Sequence, residues 1–70
     1  MKQMHPLQQQ AFATEMAAAK TRLHAGQREA AMAHLERAHV IGQAHVGPHV
    51  QTHGWMLKIE WQRRRLRAVA

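Results

Sequence analysis

Prolines and glycines divide this 70-residue chain into three stretches of helical character. Pro6 suits the first turn of a helix, and Gly26 is placed to end that helix in a left-handed cap. Gly42 is a second stop signal, and Pro48 follows it at another first-turn position. The predicted helices span about residues 6–24, 27–41 and 48–67. The sequence therefore predicts an all-α fold with an antiparallel arrangement of three helices.

Apolar residues at helical spacing support this division. The first two helices each carry one apolar face, formed by Phe12, Met16, Ala19 and Leu23 and by Ala31, Met32, Leu35 and Ala38. The third helix carries two, with Val50, Leu57 and Trp61 on one side and Trp55, Ile59 and Leu66 on the other. We expect one side to pack on the helical hairpin and the other on a second copy of the chain, in a homodimeric bundle.

A chain this short forms one domain, and it buries too little surface to be very stable alone. Such scaffolds usually need a disulfide, a metal or a partner chain. There is no cysteine, which excludes disulfides and thiolate metal sites. A site built from His and Glu, and oligomerisation, are the remaining ways to stabilise the fold.

The net charge is +6, and the segment 58–67 holds half of the ten basic side chains. A basic segment beside Trp55 and Trp61 could contact nucleic acid, but we interpret it as a solvated last turn whose cations complement the helix dipole. No apolar run approaches membrane-spanning length, and the first residues do not resemble a secretory signal. We expect a cytoplasmic protein with no membrane or nucleic-acid partner, and a protein partner remains open.

Seven residues are histidine, and several fall at helical spacing. Glu36 and His39 form a Glu-x-x-His motif, which places both side chains on one helix face beside Leu35. Di-iron helical bundles combine two such motifs with a glutamate from each of two further helices. Glu15, on the apolar side of the first helix, could supply such a carboxylate, because a buried ionised carboxylate is costly without a partner or a metal. A glutamate at the edge of the face, paired with Arg22 or with a neighbouring chain, is the alternative.

The third helix repeats the pattern, with His49, His53 and Met56 on one stripe. Two histidines four residues apart chelate metals on helices. His45, in the preceding connection, could fold over the site. Imidazole and carboxylate suit Zn, Cu(II) or Fe, and a methionine ligand would favour Cu(I). The alternative is a border of half-exposed histidines and methionines that fill the core.

The chain offers little for other chemistry. Its only hydroxyl side chains are Thr14, Thr21 and Thr52, and it has no Ser, Tyr, Cys or Asp. Nucleophilic hydrolysis is not predicted, and no glycine-rich phosphate loop is present. We expect a protein that is not an enzyme, with redox chemistry at a metal left open.

Two resemblances add to this interpretation. Leu23 to Gln43 resembles a tetratricopeptide hairpin, with Gly26 at the turn and small and large apolar residues in the second helix. Gln43 and Arg22 replace the Pro and Tyr of that repeat, and only one repeat is present. This resemblance implies a helical hairpin that serves protein interaction.

The second resemblance rests on Leu35-Glu36-Arg37-Ala38-His39-Val40-Ile41-Gly42-Gln43, followed by His49, His53 and Met56-Leu57. With Glu15-x-x-Ala-Ala and the Gly26 turn, this pattern resembles a family of short bacterial proteins classed as a domain of unknown function. Its members tend to occur near heavy-metal resistance genes. The resemblance implies a role in handling copper, mercury or a related metal.

These observations together predict a small protein that binds copper, zinc or iron and serves in metal sequestration, delivery or sensing. The predicted ligands are Glu15, Glu36, His39, His49 and His53, with His45 and Met56 as further candidates. A hairpin interaction module without metal and a di-iron redox protein are the alternatives.

Overall fold

The computed structural model describes residues 4–69, and the side chain of Val69 is not considered. Within that range the chain forms three α-helices, α1 (Pro6–His24), α2 (Arg28–Gly42) and α3 (Val46–Val69), and no strand. The all-α prediction is confirmed. None of these helices combines the length and apolar character needed to cross a membrane.

The start of α3 differs from its predicted position. The helix begins at Val46, so that Pro48 is its third residue rather than its first. Proline is tolerated there because the first four N–H groups of a helix have no intrahelical acceptor.

α1 begins with an unexpected cap at His5. Its Nδ1 accepts a hydrogen bond from the Leu7 N–H at 3.1 Å, and its own N–H donates to the Gln8 side chain. This reciprocal pair is a capping box with histidine in the place usually held by Ser or Thr. Gly26 has a φ of 75°, which confirms the left-handed cap after α1.

α1 and α2 form an antiparallel hairpin around most of the buried core. The hairpin's buried apolar residues are Phe12, Met16, Ala19, Ala31, Leu35 and Ala38. Alanines on the facing sides let the two helix backbones approach closely, and Phe12, Met16 and Leu35 fill the remaining volume.

α3 packs mainly on α2, and its contact with α1 is slight. Its fully buried side chains are Thr52 and Ile59. The Thr52 hydroxyl lies 3.0 Å from the His49 carbonyl and 3.2 Å from the Pro48 carbonyl, so this buried polar group has acceptors within its own helix. At the far end, Arg63 bridges Glu29 of α2 and Glu60 of α3.

Gly42 is the point where all three helices meet. A Cβ on Gly42 would lie 2.7 Å from Pro48 Cβ and 3.2 Å from the ring of Phe12. Only glycine therefore lets α3 turn back this close to the hairpin. The stop signal in the sequence also has a packing role.

The face of α3 opposite Ile59 is exposed to solvent. Val46, Val50, Leu57 and Trp61 are each more than half exposed, whereas Ile59 is buried. The predicted division of α3 into two apolar sides holds for Trp55 and Ile59, which face the core, but Leu66 of that same side is 51% exposed. Within residues 4–69, the side that carries Val50, Leu57 and Trp61 is left uncovered.

Candidate metal centre

Three histidines from two helices converge beside the α2–α3 connection. His39 lies on α2, His49 and His53 lie on α3, and one ligand nitrogen from each falls within 4.8 Å of the other two. The Nε2 atoms of His39 and His53 are 3.1 Å apart. Two imidazoles on one tetrahedral zinc ion, with Zn–N bonds of about 2.0–2.1 Å, have nitrogens roughly 3.3 Å apart. The pair therefore needs little movement to share an ion.

The short distance between two ring nitrogens restricts their protonation. A hydrogen bond forms only if one Nε2 carries a proton and the other offers its lone pair. Two fully protonated rings would place two donors and two positive charges against each other. A metal ion can take the place of the shared proton, since it accepts lone pairs from both nitrogens.

Helix ends and one-turn spacings in the sequence bring the three histidines together. His39 lies one turn before the end of α2, and the close contact of Gly42 with Pro48 brings the first turn of α3 against that end. His49 follows Pro48 directly, and His53 is one turn further along the same face. The imidazole rings of His49 and His53 have centroids 4.6 Å apart, and each lies within 5.2 Å of the His39 ring.

The site lies at the surface. His39 is half-buried, and His49 and His53 are exposed. An ion can therefore reach the three nitrogens from solvent without any opening of the core.

The other predicted ligands lie elsewhere. In the part of the chain that the structure describes, Glu15, Glu36 and His45 are not members of this group of converging ligand atoms. Glu36 is exposed on α2, one turn before His39, and His45 is half-buried in the connection. Met56 is partly buried and packs against the core.

Glu15 has a different set of partners from those considered in the sequence. His34 Nδ1 lies 2.8 Å from its Oε2, and Arg37 Nε lies 3.2 Å from both carboxylate oxygens. A guanidinium nitrogen of Arg37 also lies 3.0 Å from His34 Nδ1. The Glu15 carboxylate can only accept and makes the shorter contact with Nδ1, so the His34 proton is assigned to Nδ1 and both side chains donate to Glu15. These contacts link α1 to α2 on the side of α2 away from the three histidines.

The hydrogen bond from His34 is the largest cause of a lowered pKa for the Glu15 carboxyl, and the Arg37 bond and charge add to it. Partial burial opposes this shift by disfavouring the ionised form. Glu15 is therefore ionised and paired with two α2 side chains.

Sequence reasoning missed the part played by His34. Its side chain is only 22% exposed and is bound to Glu15. The available signal was its spacing of three from Arg37, which puts two donors on one face of α2.

Comparison with known protein families gives one assignment. The family described as "Protein of unknown function (DUF3703)" matches residues 6–70, nearly the whole chain. No curated protein and no solved structure matches the chain significantly.

Proposed function

We propose that this chain, which belongs to the DUF3703 family, binds a transition-metal ion through His39, His49 and His53 and serves in metal sequestration, delivery or sensing. The observation that carries the proposal is the convergence of three imidazoles from two helices. A border of half-exposed histidines does not require nitrogens from two helices to lie this close together.

The donor set indicates the class of metal. Three imidazole nitrogens suit Zn²⁺, Cu²⁺, Ni²⁺ and Fe²⁺, and they give no advantage to Mg²⁺ or Ca²⁺, which prefer oxygen. The Irving–Williams order predicts that Cu²⁺ binds more tightly than Zn²⁺ or Ni²⁺. A di-iron centre is less well supported, since Glu15 and Glu36 lie outside the group.

The exposure of the site favours exchange of the ion with solvent or with another protein. A structural metal is usually enclosed by four protein ligands, whereas a catalytic metal keeps an open position, and in both cases an ordered second shell holds the ligands. Here two of the three ligands are exposed. Uptake and release therefore fit this geometry better than permanent retention.

Metal titration with histidine variants tests the proposal. We expect Cu²⁺ and Zn²⁺ to bind in isothermal titration calorimetry, and His39→Ala, His49→Ala or His53→Ala to weaken binding by about tenfold or more each. His24→Ala is the matched control, because it removes an exposed histidine at the end of α1. Binding that survives loss of His39 and His53, or falls equally in the His24 variant, would overturn the assignment.

The pH dependence of binding gives a second test. Imidazole binds metal only when neutral, so protons compete with the ion. Zn²⁺ affinity should therefore be lower at about pH 5.5 than at about pH 7.5. Affinity that stays constant between about pH 7.5 and 5.5 would contradict ligation by histidine.

A further inference from the structure

An apolar stripe runs along the solvent side of α3. Val46, Val50, Leu57 and Trp61 are 63%, 66%, 70% and 59% exposed. With Gly54 they follow spacings of four, four, three and four, so they share one face of the helix. Contiguous exposed apolar surface of this kind usually marks an interaction site.

We propose that a second copy of this chain packs antiparallel along this stripe, and that the partner's Glu60 joins the ion held by His39, His49 and His53. The inference rests on the proposed function, because it supplies the fourth ligand of that site. Two equivalent sites then form in each dimer, and each uses histidines from one chain and a carboxylate from the other.

The stripe is complementary in shape to the stripe of a second α3 that runs in the opposite direction. Its first half carries the smaller valines and its second half carries Leu57 and Trp61. A hollow lined in part by Gly54, Leu57 and Trp61 lies on the second half. A two-fold axis between Gly54 and Leu57 sets Val50 opposite the partner's Trp61. The same axis sets Gly54 opposite the partner's Leu57. Small residues then face large ones from Val50 to Trp61, as close packing requires, and Val46 lies beyond this paired region.

One flank of the stripe carries both the histidine ligands and a carboxylate that could bind the same ion. By helix geometry His49, His53 and Glu60 project within about 40° of one another, on the same side of the stripe. A two-fold axis that reverses the helix direction brings each flank against the same flank of the partner. In the register given above, the partner's Glu60 lies level with residue 51, between His49 and His53.

The chemistry favours this carboxylate. Three imidazoles leave a tetrahedral ion one ligand short, and a carboxylate oxygen is a usual zinc ligand that also offsets part of the charge. Glu60 cannot easily serve its own chain, because it lies seven residues beyond His53, about 10.5 Å along the axis. Glu15 and Glu29 are already paired with side chains elsewhere in the chain.

Glu60 could also leave its present ion pair and bind the metal with little loss of stability. Its present partner is Arg63, three residues further along α3, and the Glu60 side chain is 45% exposed. Such surface pairs contribute little to stability. If Glu60 moves to the metal, Arg63 keeps its ion pair with Glu29.

Complementation between two defective variants tests the shared site. Glu60→Gln should weaken Zn²⁺ binding by about tenfold or more, whereas Glu36→Gln, its matched control, should leave the affinity unchanged. Mixing Glu60→Gln with His53→Ala should restore tight Zn²⁺ binding that neither variant shows alone. In the mixed dimer, one chain supplies three histidines and the other supplies Glu60.

Sedimentation analysis tests the surface itself. The chain should dimerise more tightly with Zn²⁺ than without it, and Leu57→Gln should weaken dimerisation and metal affinity together. Leu7→Gln is the control, because Leu7 is equally exposed, at 70%, but lies on α1. Both substitutions are at the surface, and circular dichroism should confirm unchanged helix content.

The outcomes separate the two proposals. If His39→Ala does not reduce Zn²⁺ binding, the proposed function fails and the shared site fails with it. If the histidine variants lose zinc but Glu60→Gln does not, or mixing restores nothing, only the shared site is overturned. A monomer in saturating Zn²⁺, or an affinity loss in Glu36→Gln instead, overturns it as well.

Discussion

The α1–α2 hairpin and α3 are held by different means. The hairpin buries most of the apolar core and adds an ion-paired group, Glu15 with His34 and Arg37, on one side. α3 is the longest helix, yet its fully buried side chains are Thr52 and Ile59. Its other attachments include the partly buried Trp55 and Met56, the histidine group and Arg63.

This contrast indicates which part of the fold a bound metal would stabilise. A helix attached by few buried contacts has a low free energy of local opening, whereas the packed hairpin opens only when the whole fold is lost. The three histidines lie across the α2–α3 contact, so an ion bound there would stabilise the weaker of the two attachments. Metal occupancy and the attachment of α3 should therefore be coupled.

The largest effect should come from the core of the hairpin. Leu35→Ala removes a side chain that is 1% exposed, and it should cost about 2–5 kcal/mol of the free energy of unfolding. Ile59→Ala should cost less, because α3 packs on one side only and can shift to close the cavity. Urea unfolding followed by circular dichroism measures both. Equal losses would contradict the difference between the two regions.

Metal should have the next largest effect, and it should act on α3. Zn²⁺ at about 100 times its dissociation constant should raise the free energy of unfolding by about 2.7 kcal/mol. Hydrogen exchange should slow most in the first half of α3 and least in the first half of α1. His53→Ala should abolish both changes. Equal slowing of hydrogen exchange in all three helices would contradict a stabilisation that is local to α3.

The close contact at Gly42 gives a sharper test, because one atom should disturb both the packing and the site. A methyl group on Gly42 would collide with the rigid Pro48 ring, so Gly42→Ala should cost about 1–3 kcal/mol. It should also weaken metal binding by moving His49 away from His39. Thermal unfolding and Zn²⁺ titration measure the two effects.

Gly47→Ala is the matched control, since a Cβ there meets nothing within 4 Å apart from its two chain neighbours. Gly47 lies in the first turn of α3, where the better helix propensity of alanine is opposed by the crowding of a Cβ directly before Pro48. This variant should keep its metal affinity and lose less stability than Gly42→Ala. A matching loss in both glycine variants would show that the contact with Pro48 is not the cause.

The smallest effect should come from the ion pairs of the hairpin. His34 and Arg37 lower the pKa of Glu15 in the folded state, so their contribution is complete above its unfolded pKa and is lost as the pH falls through the folded value. Glu15→Gln should cost about 1 kcal/mol at pH 7. The difference from the native chain should begin to shrink as the pH falls below the unfolded pKa of Glu, about 4.3, where the unfolded carboxyl takes up a proton, and it should be lost below the lower folded pKa.

Chemical unfolding at several pH values measures this difference, with Glu36→Gln as an exposed control that should change stability by less than about 0.5 kcal/mol. A Glu15→Gln deficit that stays constant down to pH 2 would contradict the ionic origin of the contribution. Metal affinity should be unchanged in this variant, because Glu15 lies outside the histidine group.

Part of the candidate site could be predicted from the sequence. The spacing of His49 and His53 places both on one face of any helix, whatever that helix packs against. The role of Glu15 could not be predicted in the same way, because its partners His34 and Arg37 come from another helix. Periodicity shows which face a carboxylate occupies, but not which cation it meets.

The sequence by itself determined the three helices and the facing of their apolar residues, because turn residues and helical periodicity act over a few neighbouring positions. Only the tertiary structure decided that His39 meets His53, and that His34 rather than a metal meets Glu15. Those meetings depend on how closely α3 approaches α2 at Gly42 and how α2 is rotated against α1. Each is set by packing between residues far apart in the chain, which no local pattern encodes.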